Sequence, residues 1–387
     1  MRILTALTYY RPHISGLTIY TERLSKALAE RGNEVTVLTS QFDPQTPLEE
    51  RQDGVHIVRV PVLTRISKGV IMPTIGIRAT TLVKENDVVH LHLPQFDAAG
   101  IAIRGRLFKK PTVLTYHCDL KLPPGLFNQV ANIAVNFMNN IAAQSAHRIV
   151  TYTDDYAMHS PYALRYYPKI ETILPPVILP ASAPSEIDKF SSENNPDHRS
   201  PVIGMAARFA AEKGVEVLLE TLPRVLNKYP NALVLYAGQY EDVMGEEEYA
   251  LRLFPIIKKY QAKGQWRFLG VLNPSQMAAF YPNLDVLVVP SLNSTESFGL
   301  VQIEAMMNGV PVIASNLPGV RQPVSITGMG RIFNTGDVED LAESMLSVFN
   351  NPDKYSGDPE AVASLFSPDN NAREYERLYQ KIMEEIQ

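Results

Sequence analysis

Two acidic residues in the second half of the chain have a spacing that suits the recognition of hydroxyl groups. Glu296 and Glu304 form an E-x7-E pair in the segment Ser291–Pro318, where a predicted strand ends in a polar loop and a helix begins near Gly299. Ligands of open α/β sheets bind at such strand ends. Carboxylates there favour neutral ligands such as sugars, whereas a phosphate favours the backbone N–H groups of Gly299 and Leu300. In isolation, such a pair is more often structural, with Glu296 an acidic residue at a helix start and Glu304 a solvated or core-edge residue.

Two basic residues follow another predicted strand at short distance. Arg208 and Lys213 come after the strand Val202–Ala207 and close to the predicted helix start at Gly214. Fixed positive charges at this place can neutralise a leaving diphosphate without a metal ion. The alternative is an ordinary solvated loop, which a basic pair after a strand usually indicates.

Three histidines lie near the ends of two predicted strands. His117 ends the strand Thr112–His117 and is followed by Asp119, while His90 and His92 end the preceding strand. Their spacing matches no zinc pattern, so we expect no metal ion. A polar role for His117 at a ligand site and a place in the core are both open.

A glycine loop and a basic cluster are weaker candidates. Gly16 lies between the first strand and the first helix, where it permits close approach of the backbone to a phosphate, although the loop is not a dinucleotide fingerprint and a plain turn is the alternative. The segment Arg104–Lys110 has four cations in seven residues. It indicates either a solvated helix end or a patch that contacts an anionic membrane or a polyphosphate-linked acceptor.

These residues can form a site only if the strands that they follow end at the same edge of a sheet, and the chain has the sequence pattern of such a sheet. Short β-branched runs alternate with amphipathic segments, which is typical of a doubly wound parallel sheet. The predicted strands are Arg2–Thr8, Glu34–Thr39, Val55–Val60, Asp87–Leu91, Thr112–His117, Arg148–Thr153, Val202–Ala207, Ala232–Ala237, Arg267–Val271, Asp285–Pro290 and Pro311–Ser315. The proline-rich segment Pro175–Pro201 separates two βα halves, and its composition predicts extended linker structure with little helix.

Composition excludes several classes of protein. The chain has 387 residues, 45% of them hydrophobic and 20% charged, as in a folded protein of two domains or of three small ones. The net charge of −5 argues against a nucleic-acid partner. The single cysteine, Cys118, fits a reducing compartment, and the N-terminus indicates a strand rather than a signal peptide. We expect a cytoplasmic protein; a peripheral position at the inner membrane surface is left open by the basic cluster.

Taken together, these segments resemble the retaining glycosyltransferases of family 4. The resemblance extends over nearly the whole chain, and its longest motif is specific. The matching segments are the glycine loop at Gly16, RGNEVTVLT at 31–39, TYH at 115–117, R-x4-K at 208–213, AG at 237–238, FLG at 268–270 and ESFGLVQIEAMMNGVPVIAS at 296–315.

The resemblance implies roles for individual residues. Glu296 would bind hydroxyls of a donor sugar, Glu304 would hold the ribose hydroxyls, and Arg208 and Lys213 would hold the diphosphate. Val271 would lie against the nucleotide base, and the catalytic set would be Glu296, Arg208, Lys213 and His117. The other residues placed at the donor site are Gly16, Gly238, Phe298, Gly299 and Leu300.

The resemblance also implies an α/β fold with two Rossmann-like domains facing a cleft, the GT-B architecture. We expect residues 1–177 and 368–387 to form the N-terminal, acceptor-side domain, 178–200 a linker, and 201–367 the nucleotide-sugar domain. The final helix would cross back to the N-terminal domain. The chain departs from the family at two places. Leu17 stands where many members have a second glycine, and residues 175–179 read Pro-Pro-Val-Ile-Leu where many members have Pro-Asn-Gly-Val-Asp.

The implied activity is transfer of a hexose-type sugar from a nucleotide-diphosphate donor to a hydroxyl of a saccharide or lipid-linked acceptor, in polysaccharide or glycoconjugate synthesis. A UDP-sugar is favoured over a GDP-sugar, with no metal ion and no other cofactor. The alternatives are a sugar-nucleotide epimerase of the same architecture, which would need no acceptor, and a non-enzymatic sugar-binding protein.

Overall fold

The computed structural model describes residues 1–66, 69–120 and 126–386, and it divides them into two units, each built on its own β-sheet. Unit 1 contains the described residues of 1–177 together with 366–386, and unit 2 contains residues 178–365. Both units have the predicted alternation of strands and helices.

Unit 1 is built on a mostly parallel sheet. Its strands are β1 (Arg2–Ala6), β2 (Glu34–Gln41), β3 (Glu49–Gln52), β4 (Val55–Pro61), β5 (Thr64–Ile66), β6 (Gly69–Ile71), β7 (Val88–Leu93), β8 (Thr112–Tyr116), β9 (Arg148–Thr151) and β10 (Ile170–Thr172). Within the described residues the sheet order is β10-β9-β8-β7-β1-β2-β4-β3, with β5 and β6 as a separate antiparallel pair. Only β3 is antiparallel in the larger sheet. Because β1 pairs with β2 on one side and β7 on the other, the strand order reverses at β1.

The helices of unit 1 cover both faces of this sheet. They are α1 (Gly16–Glu30), α2 (Ile75–Glu85), α3 (Ala98–Leu107), α4 (Leu126–Ser145), α5 (Asp154–His159), α6 (Pro161–Arg165) and the final helix α15 (Pro368–Ile386). The Ser15 side chain caps α1 by accepting from the N–H of Thr18. Side chains spaced three and four residues apart, including Tyr20, Leu24 and Leu28, are buried on the sheet.

The final helix belongs to unit 1, as the resemblance implies. Its predicted apolar face is buried; the residues are Tyr375, Leu378, Tyr379 and Ile382. The Tyr375 hydroxyl lies 2.7 Å from the Tyr20 hydroxyl of α1 and 2.7 Å from Thr115 Oγ1 of β8. Arg31, just after α1, forms ion pairs with Asp369 and Glu376 of α15. The last helix is therefore part of the core that supports α1 and β8.

Unit 2 has an all-parallel sheet with helices between its strands. The strands are β11 (Val202–Ala206), β12 (Leu233–Ala237), β13 (Trp266–Gly270), β14 (Val286–Val289), β15 (Val312–Ser315) and β16 (Gly330–Phe333). The helices are α7 (Pro184–Asn194), α8 (Val215–Lys228), α9 (Glu247–Gln261), α10 (Pro274–Phe280), α11 (Leu300–Met306), α12 (Gln322–Thr327), α13 (Val338–Asn350) and α14 (Pro359–Leu365). The order β13-β12-β11-β14-β15-β16 is that of a Rossmann-type sheet, and it reverses at β11.

The eleven predicted strands are all present, with ends shifted by two residues at most. The strands that were not predicted are short or lie at an edge. For example, β3 reads Glu-Glu-Arg-Gln and pairs only with β4, so its sequence has no buried apolar run. An edge strand of this kind has no hydrophobic signal by which to predict it.

The prediction of little helix in the proline-rich segment is wrong. Residues 178–200 lie in unit 2 and include α7, which has Pro184 at its first turn. A proline in the first turn of a helix removes no intrahelical hydrogen bond, so it can begin a helix as readily as prevent one. Phe190 of α7 is buried, and its ring lies 6.2 Å from that of Phe280 in α10. The segment is thus packed onto unit 2.

Candidate functional site

Two loops meet at the carboxyl end of β11 in unit 2. One loop follows β11 and leads to α8; the other follows β14 and leads to α11. Strands β11 and β14 are neighbours and the strand order reverses between them, which is the position where open α/β sheets bind ligands. The N–H of Leu292 donates to the carbonyl oxygen of Glu212 at 2.9 Å, which ties the loops together.

An ion pair between the two loops joins two of the predicted site residues. Lys213 Nζ lies 2.6 Å from Glu296 Oε2, and about one fifth of each side chain is exposed, 22% and 21%. Burial lowers the pKa of Lys213, but attraction to Glu296 and the hydrogen bond with it outweigh burial, so that the pKa is raised. Lys213 is therefore held as a cation beside a carboxylate at the strand end.

The second predicted cation, Arg208, has a partner in its own loop. Its Nη2 lies 2.7 Å from Glu212 Oε1. Burial raises the pKa of Glu212, but the hydrogen bond with its own backbone N–H and the charge of Arg208 outweigh burial, and the pKa is lowered. Glu212 is thus an anion that orients Arg208, a role that the sequence interpretation did not assign.

Close contact between the loops depends on Gly214. Its φ of +70° is in the left-handed region, and a Cβ added there would lie 2.0 Å from the carbonyl oxygen of Pro290. Only glycine fits without a shift of the backbone. The turn places Lys213 against the loop after β14 and lets α8 begin at once.

Glu304, the second acid of the motif, lies in the interior of unit 2. It is 8% exposed, and the hydroxyl of the fully buried Tyr281 donates to its Oε2 at 2.8 Å. A buried carboxylate needs such a donor, because an unsatisfied charge is costly. Tyr281 is 23 residues away in sequence, and no local signal links it to the motif.

The motif's middle residues form the turn into α11. Gly299 has a φ of +81° and precedes the first helical residue, Leu300, while the Phe298 ring is buried. The fully buried Gln302 donates from Nε2 to the carbonyl oxygens of Phe298 at 2.7 Å and Val320 at 2.9 Å. Hydrogen bonds from a buried side chain therefore fix the conformation of this turn. That its backbone N–H groups bind phosphate stays a prediction.

Three further residues from the resemblance lie at strand ends or at a helix start. Gly238 follows β12, and a Cβ there would lie 2.0 Å from the carbonyl oxygen of Ala207, so close packing alone requires this glycine. Val271 follows β13 and is 64% exposed. Gly16, in unit 1, is the first residue of α1 and has open space where its Cβ would be. Their contacts with a donor stay predictions.

His117 is a core residue of unit 1. It is 5% exposed, its Nε2 lies 2.9 Å from His92 Nδ1, and its Nδ1 is hydrogen-bonded to the Tyr152 hydroxyl. His90 bonds to the Tyr379 hydroxyl in the same buried region. Burial lowers the pKa of His90 and of His117 to about 3, so both rings are neutral. These contacts give His117 a structural place; a role towards a ligand stays a prediction.

Two arginines of the basic cluster at the end of α3 form hydrogen bonds within unit 1. Arg104 Nε donates to Thr80 at 2.7 Å, and Arg106 Nη1 lies 2.6 Å from His147. Arg106 and Lys109 are nevertheless exposed, and Leu107 between them is 72% exposed. The cluster thus combines a structural cation with an exposed surface that has both charge and apolar area.

The described residues contain no group of three or more His, Cys, Asp or Glu side chains placed to hold a metal ion. None of the helices described here combines the length and the hydrophobicity that crossing a bilayer requires.

Comparison with known families matches both units. The model described as "Glycosyl transferase 4-like domain" matches residues 15–161, and the model described as "Glycosyl transferases group 1" matches residues 186–358. The chain belongs to the family 4-type glycosyltransferases. It is 24% identical over 351 residues to the 2-deoxystreptamine glucosyltransferase of Streptomyces kanamyceticus, an alignment that covers 85% of this chain and 88% of that protein.

Other relatives agree with this assignment. This glycosyltransferase is 23% identical over 363 residues to the D-inositol 3-phosphate glycosyltransferase of Pseudarthrobacter chlorophenolicus, covering 87% and 82% of the two chains. The crystal structure of HepE from Anabaena in complex with UDP-glucose matches it with a TM-score of 0.78 at 17% identity, covering 98% of this chain and all of that one. Sucrose-phosphate synthase from Thermosynechococcus elongatus matches with a TM-score of 0.73 at 19% identity, covering 99% of both chains. The fold is GT-B.

Proposed function

We propose that this glycosyltransferase moves a hexose-type sugar from a UDP-sugar to a hydroxyl of a saccharide or lipid-linked acceptor, in polysaccharide or glycoconjugate synthesis. The observation that carries the proposal is the pair Lys213–Glu296 at the point where the strand order of unit 2 reverses. It brings a cation and a carboxylate from the two most distinctive motifs to within 2.6 Å of each other.

The arrangement suits cleavage of a sugar–diphosphate bond. As the bond between the anomeric carbon and the phosphate oxygen breaks, negative charge builds up on the diphosphate. Lys213 and Arg208 supply positive charge that is already in position, because Glu296 and Glu212 hold them before a ligand arrives. Glu296 would then accept hydrogen bonds from sugar hydroxyls.

Retention of anomeric configuration and independence of metal ions are parts of the proposal. In the retaining reaction the acceptor hydroxyl attacks from the side that the diphosphate leaves, and the departing phosphate takes its proton. The two cations would do the work that a metal ion does in other transferases. Proton NMR of the product tests the configuration, and activity after removal of divalent ions with EDTA tests the metal requirement.

The UDP preference is supported by a relative, since HepE was crystallised with UDP-glucose. A ligand that binds the native state raises the melting temperature according to its concentration and affinity. We expect UDP and UDP-glucose to raise the melting temperature more than GDP or ADP at equal concentration. A larger rise in melting temperature with GDP would make a GDP-sugar the proposed donor.

Two substitutions test the site itself. We expect Lys213→Ala and Glu296→Ala each to abolish turnover while leaving the fold intact, because each removes one side of the pair. The matched controls are Arg224→Ala and Glu339→Ala, which remove an ion pair of the same unit whose side chains are 49% and 64% exposed. Activity is measured as acceptor-dependent UDP release and folding by circular dichroism. Near-normal activity of both Lys213→Ala and Glu296→Ala would refute the assignment.

A cytoplasmic location with peripheral membrane contact completes the proposal. Exposed Arg106 and Lys109 flank the exposed Leu107, a combination that suits an anionic lipid surface. Sedimentation with phosphatidylglycerol vesicles, compared with neutral vesicles, tests it. Equal sedimentation with both would contradict contact through this cluster.

A further inference from the structure

The start of α9 contacts the loop that carries Lys213. This β11–α8 loop, residues 207–214, contains a short 3-10 helix at Ala211–Lys213. The backbone N–H of Ala211 donates to Glu246 Oε2 at 3.0 Å. Glu246 is the N-cap residue of α9 and lies 35 residues farther along the chain. A carboxylate from another loop therefore holds the turn that ends in Lys213.

The backbone of Glu246 is itself fixed. Its N–H donates to the carbonyl oxygen of Val243 at 3.0 Å, and its carbonyl oxygen accepts from the N–H of Ala250 at 2.9 Å. Val243 is buried in the core of unit 2, which anchors the turn before α9. Hydrogen bonds with a carboxylate are shorter and stronger than those between neutral groups. Glu246 can therefore restrain the β11–α8 loop rather than follow its movements.

The same helix holds the chain on the other side of Lys213. The Tyr249 hydroxyl donates to the carboxylate of Glu216 in the first turn of α8, and Arg252 Nη2 lies 3.7 Å from the other oxygen of that carboxylate. Tyr249 is 7% exposed, and its ring lies 5.3 Å from the ring of Phe209 in the β11–α8 loop. Helix α9 thus contacts the chain both before and after Lys213.

The position of Lys213 depends on these backbone contacts. Groups that act on a bound ligand have to be held within about 0.5 Å of the productive position. Glu296 holds the charged end of Lys213 at 2.6 Å, while the backbone determines where the side chain begins. The N–H of Gly214 donates to the carbonyl oxygen of Ala211 at 3.2 Å across the turn. A displacement at Ala211 is therefore transmitted to Lys213.

We propose that Glu246 is a positioning residue that fixes Lys213 in the place where it meets the donor diphosphate. This inference rests on the proposed transferase function. In this role Glu246 contacts no ligand atom; it holds the N–H of Ala211, and the turn carries that restraint to Lys213. In the sequence Glu246 is the first of three consecutive glutamates, a pattern that indicates only the start of a helix.

Three variants test the contact. Glu246→Ala removes the acceptor for the N–H of Ala211, whereas Glu246→Gln keeps an acceptor oxygen on a side chain of the same length. Glu248→Ala is the matched control, because it removes an exposed glutamate from the same helix start. Circular dichroism shows whether each variant is folded like the wild type.

Calorimetry with UDP measures the effect on the donor site. Substitutions that act on a site without touching its ligand change binding by about 2- to 30-fold, and we expect Glu246→Ala to raise the Kd for UDP at least about threefold. We expect Glu246→Gln to restore the wild-type Kd and Glu248→Ala to leave it unchanged. In a Lys213→Ala background, Glu246→Ala should change the Kd less than about twofold, because the group through which it acts is gone.

Hydrogen exchange follows the backbone itself and needs no ligand. Amides that lose a hydrogen bond or a restraint open more often and exchange faster. Mass spectrometry of peptides from residues 207–216 therefore measures the restraint directly. We expect faster exchange in Glu246→Ala than in the wild type, and wild-type exchange in Glu246→Gln and Glu248→Ala.

The outcomes separate this inference from the proposed function. Three results overturn the inference and leave the transferase function standing, because UDP still binds: equal Kd values for Glu246→Ala and Glu248→Ala, no recovery in Glu246→Gln, or an equal effect of Glu246→Ala with and without Lys213. The last result would make Glu246 merely structural. If the wild type binds neither UDP nor UDP-glucose, the proposed donor fails instead. Hydrogen exchange then still decides: faster exchange confined to Glu246→Ala supports the restraint, and equal exchange in all variants overturns it.

Discussion

The contact between the two site loops predicts a large effect for Gly214→Ala. Gly214 has a φ of +70°, and a Cβ there would lie 2.0 Å from the carbonyl oxygen of Pro290, more than 1 Å short of ordinary contact. Backbone atoms surround this point, so the overlap cannot be relieved by rotating a side chain. One of the two loops must move.

The expected loss of stability in Gly214→Ala has two parts. The left-handed conformation costs an alanine about 1–2 kcal/mol. Relief of an overpacked contact costs about 1–3 kcal/mol more, and here it includes the hydrogen bond from Leu292 to Glu212. We therefore expect Gly214→Ala to lower the free energy of unfolding by about 2–5 kcal/mol. We also expect the separation of Lys213 from Glu296 to weaken donor binding and to reduce turnover.

Gly328→Ala is the matched control. Gly328 ends α12 in the same unit with a φ of +71°, and no atom lies within 4 Å of where its Cβ would be. This variant has the conformational cost without the overlap, so we expect a loss of only about 1–2 kcal/mol. Urea unfolding gives the free energies, and calorimetry gives the affinity for UDP. Equal stability of the two variants, with UDP affinity unchanged in Gly214→Ala, would refute the reasoning.

Two further predictions concern buried polar groups. Tyr281→Phe removes the hydroxyl that donates to Glu304, so we expect the free energy of unfolding to fall by about 1.5–3 kcal/mol in urea unfolding. We also expect weaker UDP binding in calorimetry, because Glu304 is no longer held in one position; unchanged affinity would contradict a nucleotide role for Glu304. Burial lowers the pKa of His90 and His117 from 6.5 to about 3, so the unfolded chain binds more protons between these pH values. Stability should therefore fall as the pH falls from 6.5 towards 3, by up to about 1.4 kcal/mol per pH unit for each histidine. Urea unfolding at pH 7 and pH 5 measures how the free energy of unfolding changes with pH. We expect His117→Gln to reduce this change and the control His198→Gln, at an exposed site, to leave it as it is. An equal change in both variants would refute the reasoning.

Much of the fold could be predicted because parallel strands leave a local signal. Val286–Val289 and Val312–Ser315 are apolar, β-branched runs between turn residues, and each is buried along its whole length. The edge strand β3 could not be predicted because it is charged and has a partner on one side only. Helix α7 was missed for another reason, since its first residue is a proline, which occurs in linkers and at helix starts alike.

The residue types of the candidate site were also readable from the sequence. Arg208, Lys213, Glu296 and Glu304 stand in ordered motifs next to predicted strand ends, and their charges limit the ligands that they suit. The motifs did not indicate which of these residues contact each other. Lys213 and Glu296 are 83 residues apart, and nothing local to either residue indicates the other.

The sequence by itself determined the alternation of strands and helices, the membership of the family and the chemical types at the strand ends, because each of these depends on neighbouring residues. The tertiary structure alone decided that Lys213 contacts Glu296, that Tyr281 donates a hydrogen bond to Glu304, and that His117 is buried. The physical reason is the strand order. Where a sheet reverses its order, loops that are distant along the chain come together, and that order is set by the packing of the whole unit.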